Sequence, residues 1–319
     1  MKKYLAILLT LAMIFALAAC GATTDEETTA PEETSEEVVS EEVSEEVSED
    51  SSEAVSEDAS EAVSEDASEA ASEDASEDAS EGETEEAKVP STKEEILAAY
   101  TAVMNQAKKD APAYKKIEWQ TLPDDANSRI VSEGSSVVNT ALNLAQNNFM
   151  TSEEDTKADP EIKEKGSSMS SFPICNSKYG CLLTNTSAIK SAKCEVLSNG
   201  NYKITIVLND EKNPEPVKSE DATTAPSNHG GIFSPVSKKD IDDTLNGGIV
   251  SAVAKDIVYS LTYHDCSSCI EYDPTNNHLV SVVQFSKVAI SGSGKIAFIK
   301  LGVTKQELVD EMHIYDIKY

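Results

Sequence analysis

Residues 194–208 read CEVLSNGNYKITIVL, and this stretch contains the clearest hairpin signal of the chain. Apolar and polar side chains alternate over Tyr202–Leu208, which is the period of a half-buried β-strand. Asn199-Gly200 stands between this run and Cys194–Leu197, and Asn-Gly is the pair that a tight hairpin turn prefers, because both positions need a positive φ. The stretch therefore predicts two antiparallel strands joined by a short turn.

The same two-residue period continues toward the C-terminus. Short turn sequences, Asp273–Asn277 and Ser291–Gly294, separate the apolar segments, so neighbouring strands are expected to be antiparallel. Together with the hairpin, these segments predict an antiparallel meander of about six or seven strands. The further predicted strands are Ile257–Tyr263, Cys269–Tyr272, Leu279–Ile290, Lys295–Leu301 and His313–Tyr319.

Helical signals come before the sheet. Thr92 and Glu95 have the spacing of a capping box, and apolar residues follow at helical spacing as far as Asp110. A second helix is predicted over Ser135–Phe149, where apolar residues again recur on one face. Helices that precede an antiparallel sheet define an α+β fold, so residues 88–319 are expected to form one α+β domain with its N-terminal helices packed on the sheet.

Two polar stretches interrupt these patterns. Residues 151–171 predict a loop, and residues 209–238 predict a long insertion between strands, with four prolines and little apolar content. Loops of this length in a compact domain are either functional or disordered, so the insertion is the expected contact for a ligand or partner, with a disordered segment as the alternative. A weak capping signal at Ser237 and Asp240 predicts a short helix through Leu245.

The acidic residues are concentrated in one segment. Residues 21–87 hold 28 of the 58 Asp and Glu residues and no Lys or Arg, whereas residues 88–319 carry a net charge of −6. A serine falls at every fourth position from Ser40 to Ser80, and a period of four forms no lasting apolar stripe on a helix. We therefore expect residues 20–87 to be a disordered stalk. This charge also disfavours nucleic acid as a partner.

The N-terminus has the layout of a signal peptide, with Lys2 and Lys3 before an apolar run that is shorter than a membrane-spanning helix requires. Its last residues, Leu17–Cys20, resemble the lipobox of bacterial lipoproteins. The resemblance implies that residues 1–19 are removed and that Cys20 is lipidated. The mature protein would then be extracytoplasmic, with the membrane as a partner through a lipid anchor at the outer face of the cell membrane.

Three features of the folded part carry a second resemblance: Ser91–Ile96, Phe149-Met150 and the hairpin at Asn199-Gly200. In these features the chain resembles uncharacterised extracytoplasmic lipoproteins of clostridia and their relatives. That group has no established activity, so the resemblance implies a location and no reaction. In fold, a sheet covered by helices is also similar to the half-barrels of lipoprotein-carrier proteins, which shield acyl chains.

Besides Cys20, the chain has five cysteines, an odd number that cannot all pair within one molecule. Cys266 and Cys269 form a Cys-x-x-Cys motif, but the residues after it alternate like a strand, which disfavours a redox-active helix. Four thiolates from Cys175, Cys181 and this motif would suffice for one zinc ion, which makes them the candidate metal ligands. Disulfides and free thiols are the alternatives, and Cys175 and Cys181 are expected to lie close together.

No catalytic or cofactor motif is evident in the sequence. The chain lacks a Gly-x-Ser-x-Gly elbow, a His-Glu-x-x-His motif and an EF-hand loop. Trp119, the only tryptophan, is expected in the core between the two predicted helices. These observations favour a non-catalytic binding module for an apolar or mixed ligand or a surface protein, without a cofactor. The alternatives are an extracytoplasmic enzyme with its site near residues 209–238 and a wall-associated structural protein.

Overall fold

The computed structural model describes residues 89–123, 131–132, 139, 150, 152–246, 254–296 and 299–319. The predicted signal peptide, Cys20 and the acidic stalk lie outside these residues. So does the predicted helix Ser135–Phe149, apart from Asn139. The described residues contain three α-helices, which are α1 (Lys93–Asp110), α2 (Glu153–Ala158) and α3 (Lys238–Leu245).

Helix α1 begins where the sequence predicts. Thr92 Oγ1 accepts the Glu95 N–H at 3.1 Å, and Glu95 Oε2 accepts the Thr92 N–H at 3.1 Å, so both halves of the capping box are formed. One face of the helix packs on the sheet through a stripe of side chains at helical spacing. The buried residues of α1 are Ile96, Leu97, Tyr100, Val103, Met104, Ala107 and Lys108.

The strands of the described residues form one antiparallel sheet. They are β1 (Ala113–Thr121), β2 (Val131–Ser132), β3 (Glu161–Lys163), β4 (Ile189–Val196), β5 (Tyr202–Leu208), β6 (Glu211–Lys212), β7 (Ala254–Asp273), β8 (His278–Ile296) and β9 (Ile299–Lys318). Seven strands follow the order β3-β1-β9-β8-β7-β5-β4, while β2 pairs with β9 and β6 with β7. The coarse prediction of a dominant antiparallel sheet with few helices is therefore confirmed.

The hairpin at Asn199-Gly200 is formed as predicted. Strands β4 and β5 pair antiparallel with Val196 opposite Tyr202, and Gly200 in the turn has a φ of 85°. The two strands predicted over Ile257–Tyr263 and Cys269–Tyr272 are instead one continuous strand, β7. A β-bulge with Asp265 at a φ of 50° lies between them, and it absorbs the break in the alternation without ending the strand.

The predicted turn at Ser291–Gly294 is wrong, because these residues lie within β8 and pair with β9. Gly292 is needed for another reason. A Cβ atom at this position would lie 2.4 Å from the Val258 carbonyl oxygen of the neighbouring strand β7. The glycine therefore permits a close approach of two strands, which in a single sequence gives the same signal as a turn.

Two elements of the N-terminal half depart from prediction. Trp119 is buried, with 7 % of its surface exposed, but it lies in strand β1 rather than between helices. The predicted loop 151–171 contains helix α2 and strand β3. Ser152 caps α2 by accepting the Asp155 N–H, so a polar stretch with a good cap forms a short helix without an apolar face.

The insertion at residues 209–238 is not a solvated loop. It contains β6 and a short 3₁₀ turn at His229–Gly231, and much of it is buried against the sheet. Three of its four prolines contribute to this packing, because a proline ring is apolar although it breaks regular structure. The buried residues are Pro214, Pro216, Val217, His229, Gly230, Gly231, Ile232, Phe233, Pro235, Val236 and Ser237. Helix α3 follows directly, as the Ser237 and Asp240 signal predicts.

Candidate functional site

Hydrogen bonds fix the position of the insertion, some of them to strand β7 and others among its own residues. Asn213 donates its N–H to the Leu261 carbonyl at 2.7 Å and accepts the Leu261 N–H on Oδ1 at 2.9 Å. The Glu211 carboxylate accepts the His229 N–H at 2.8 Å and lies 2.7 Å from His229 Nδ1. Burial lowers the pKa of His229 although Glu211 opposes this, so the ring is neutral near pH 7 and donates from Nδ1.

Gly230 and Gly231 let the insertion approach other backbone segments closely. The Gly230 N–H donates to Ser227 Oγ at 2.9 Å, and Ser227 in turn donates to the Glu215 carbonyl at 2.7 Å. A Cβ atom on Gly230 would lie 2.3 Å from that same carbonyl oxygen. The Gly231 carbonyl accepts the Leu182 N–H at 2.8 Å. A Cβ atom on Gly231 would lie 2.8 Å from the backbone nitrogen of Leu183. At each of these two glycines the backbone passes so close to another segment that a residue with a side chain would not fit.

The sheet face beneath the insertion is nearly filled. A cavity of about 30 Å³ remains between the insertion and strands β1, β7, β8 and β9, which is room for about two water molecules and none for an acyl chain. The residues around it are both apolar and polar. They are Gln120, Phe233, Ser234, Pro235, Val236, Tyr263, Gln284, Ser286, Val288, Leu308, Asp310 and Met312.

A much larger cleft, of about 1120 Å³, lies beside the insertion. One wall is the C-terminal half of α1, the second is the loop of residues 167–179, and the third is the part of the insertion at Lys218 and Glu220. Its lining is rich in hydroxyl, amide and ammonium groups. The lining residues are Ala102, Asn105, Gln106, Lys108, Lys109, Ala111, Ser167, Ser168, Met169, Ser170, Asn176, Ser177, Lys178, Tyr179, Lys218 and Glu220.

A buried lysine holds the loop wall against α1. Lys108 Nζ donates to the carbonyl oxygens of Met169, Phe172 and Ile174 at 2.7, 2.9 and 2.9 Å, so each of its three protons has an acceptor. Burial lowers the pKa of Lys108 to about 8. A second lysine, Lys116 of β1, donates to the Ser171 carbonyl in the same loop at 2.9 Å. Two ammonium groups thus fix the shape of a loop that has little regular structure.

The loop wall is also tied to the other two walls. Asn105 Oδ1 on α1 accepts the N–H groups of Gly180 and Cys181 at 2.8 and 2.9 Å. The Lys178 N–H donates to the Glu220 carbonyl at 3.2 Å, which joins the loop to the insertion. A cleft whose three walls are bonded to one another has a preformed shape, and a preformed site loses less conformational entropy when it binds a ligand.

The ionisable groups of the cleft are mainly positive. Lys178 pairs with Asp221 at 2.9 Å, and Lys218 pairs with Asp240 at 2.6 Å, but neither aspartate lines the cleft. Lys109 is exposed and has no ion-pair partner among the described residues. These cations can therefore contact a bound anion without losing a buried partner.

The candidate metal ligands come from different elements of the fold and do not form a metal-binding group among the described residues. Cys266 and Cys269 are in β7, where burial raises the pKa of Cys266 to about 11. Cys181 is buried, and its sulfur accepts a hydrogen bond from Thr101 on α1 at 3.2 Å, whereas Cys175 is half-buried in the loop wall. All five described cysteines are free thiols. Across the described ranges, no three His, Cys, Asp or Glu side chains meet as a metal-binding group, so the four thiolates do not converge on one ion.

The sequence pointed to one wall of the cleft and missed the others. Lys218 and Glu220 belong to the insertion that was expected to contact a ligand, but Lys108, Lys109 and Lys178 were not predicted to belong to a site. A signal for Lys108 is present, because it stands four residues after buried Met104 on the apolar face of α1. A lysine on a buried helical face needs hydrogen-bond acceptors close to it. In this structure the acceptors are backbone carbonyl groups of the loop wall.

The interpretation of the cleft rests on its own chemistry. In the part of the chain that the structure describes, no helix is both long enough and apolar enough to cross a bilayer. No family model matches the chain, and no curated protein or solved structure matches it.

Proposed function

We propose that this chain is a lipid-anchored, non-catalytic binding module of the cell surface, with an α+β domain whose cleft is the binding site. The observation that carries the proposal is the cleft itself, which is large, preformed and lined by convergent polar groups, as ligand sites are. The lipobox-like end at Cys20 supports an extracytoplasmic location, and the acidic segment 20–87 would act as a stalk that holds the domain away from the membrane.

The contacts in the cleft favour binding over chemistry. Lys108 is the lining residue with the strongly lowered pKa, and a lysine of this kind can act as a base or nucleophile. Here its three protons are donated to three backbone carbonyls, so the amine holds the loop wall. The half-buried Tyr179 and the serines of the loop wall then offer hydrogen-bond donors and a ring face to a polar ligand.

Because the sheet face is filled, it limits the kind of ligand that the domain can bind. The insertion places Ile232, Phe233 and Val236 where an apolar ligand on the sheet would have to lie. We therefore assign the ligand to the cleft beside the insertion, where lysine, serine and amide side chains offer polar contacts, and the insertion remains one wall of the site.

Filling the cleft should abolish ligand retention. Ala102 is an exposed residue of α1 that lines the cleft, and Ala98 is an exposed residue one turn earlier that does not. Because Ala102 lines the cleft and Ala98 does not, the tryptophan side chain of Ala102→Trp would occupy part of the cleft, whereas that of Ala98→Trp would lie outside it. Native mass spectrometry of the full chain purified from its native host should detect a retained ligand in the wild type and in Ala98→Trp, and none in Ala102→Trp.

Two outcomes would contradict the proposal. A ligand that is retained equally by Ala102→Trp would lie elsewhere on the molecule. The absence of any retained ligand in the wild type, under conditions that preserve the fold, would favour a structural role for the domain.

A further inference from the structure

The charge of the cleft runs against the charge of the domain. The charged residues that line it are four lysines and one glutamate, an excess of three positive charges, although residues 88–319 carry a net charge of −6. One positive charge remains in excess when Asp221 and Asp240, the ion-pair partners of Lys178 and Lys218, are also counted. A local excess of one sign in a domain of the opposite sign indicates the charge of the ligand, because field lines concentrate in a cleft with low-dielectric walls.

Three of the lysines are placed to contact a ligand. Lys109 is exposed and unpaired in the described structure, and it follows Lys108 at the end of α1. Lys178 and Lys218 stand on the other two walls, each held from outside by one aspartate. An ammonium group has three protons, so one ion pair leaves donors for a second anion. The aspartates fix the lysines without filling the cleft.

The other groups that line the cleft indicate which kind of molecule carries the negative charge. Ser167, Ser168 and Tyr179 present hydroxyl groups, and Lys178 Nζ lies over the Tyr179 ring, 5.5 Å from its centre. Hydroxyl donors and an aromatic ring suit a ligand that itself bears many hydroxyl groups. A cleft of about 1120 Å³ is also large enough for several such units.

From these contacts we infer that the cleft binds a short saccharide or polyol that carries phosphate or carboxylate groups. The inference rests on the proposed function, since it names the ligand class of the same cleft. Lys109, Lys178 and Lys218 bind the anionic groups, and the loop wall binds the hydroxyl groups. The ligand is short because a longer polyanion would leave the cleft and run along the negatively charged remainder of the domain, where like charges within the screening length of roughly 8 Å repel it.

The test is calorimetric titration of the full chain in detergent with three probes of equal length: a glycerol phosphate trimer, trigalacturonate and neutral maltotriose. At least one anionic trimer should bind at least about tenfold more tightly than maltotriose, because each charge-assisted hydrogen bond is roughly twice as strong as a neutral one. Comparison of the two anionic arms identifies phosphate or carboxylate as the preferred group.

The matched variants separate a site from general attraction. Lys178→Gln with Lys218→Gln should weaken binding of the preferred trimer at least about tenfold, since two charge-assisted contacts are lost. Lys190→Gln with Lys193→Gln removes two lysines that are also exposed and ion-paired, on strand β4, and should leave the affinity within about twofold. Equal weakening by both double variants would overturn the inference.

The remaining outcomes distinguish the inference from the proposed function. If maltotriose binds as tightly as the anions and Ala102→Trp abolishes that binding, the cleft is a binding site and its ligand is neutral, so only the inference falls. If an anionic trimer binds and Ala102→Trp leaves its affinity unchanged, the cleft is not the site and both fall. If no trimer binds, the inference is wrong, and the retained ligand in native mass spectrometry decides the proposed function alone.

Discussion

Replacing Gly230 by alanine should lower the free energy of unfolding by about 2–3 kcal/mol, the cost of forcing an atom into well-packed structure. The new Cβ would lie 2.3 Å from the Glu215 carbonyl oxygen and 2.9 Å from Ser227 Oγ. Neither can yield easily, because Ser227 bridges Glu215 and the Gly230 N–H. The two parts of the insertion would have to move apart at Glu215 and Gly230, which would disturb the packing of the buried residues Ile232 and Phe233 that follow.

Urea denaturation followed by the fluorescence of Trp119, the only tryptophan, measures this effect. The matched control is Gly302→Ala in β9, where no atom lies within 4 Å of the added Cβ and where alanine should be neutral or slightly stabilising. If both variants unfold at the same urea concentration, the close contact between Gly230 and Glu215 within the insertion is not formed as described.

Replacing Lys108 by methionine should cost about 2–3 kcal/mol, since three hydrogen bonds from a buried ammonium group are lost. The Met169 and Ile174 carbonyls keep the backbone N–H groups of Phe172 and Ser177 as donors, so the loss falls mainly on the Phe172 carbonyl. Methionine keeps the apolar stem of the lysine, so the loss reports the ammonium group rather than packing. The loop wall would loosen, and binding in the cleft should weaken as well.

Lys109→Met is the control for this change, because Lys109 is the next residue of α1 and is exposed. Its stability in the same urea titration should lie within about 0.5 kcal/mol of the wild type, as for other surface changes. A Lys108→Met variant as stable as Lys109→Met would show that the loop wall keeps its position without the lysine.

The elements that the sequence predicted well are those with local signals. The hairpin follows from Asn199-Gly200 between alternating segments, and the start of α1 follows from Thr92 and Glu95, whose partners are three residues apart. Each of these features is decided within a few residues. Tertiary contacts do not have to be known to recognise them.

The elements that were missed depend on distant partners. Strand β1 was missed because Lys115 and Lys116 interrupt its alternation, and Lys116 is buried only because Ser171 and Glu118 receive its protons. The insertion looked like a solvated loop for a similar reason. Its prolines and glycines break regular structure locally, and their packing partners are in other segments of the chain.

The cleft could be anticipated only in part. The length of the insertion predicts that it contacts a ligand, which follows from a general property of long loops. The lysines of the other walls come from α1 and from residues 167–179, which have no shared motif. Their convergence follows from Lys108 and Asn105, which bind the loop wall to α1 through backbone groups that no sequence pattern displays.

Hydrogen exchange of the full chain, with and without the anionic trimer that binds more tightly, shows which segments contact the ligand. We expect protection only on the three walls of the cleft, which are the C-terminal half of α1, residues 167–179 and the insertion around Lys218 and Glu220. Protection that appears on the strands and leaves these walls unchanged would contradict this expectation.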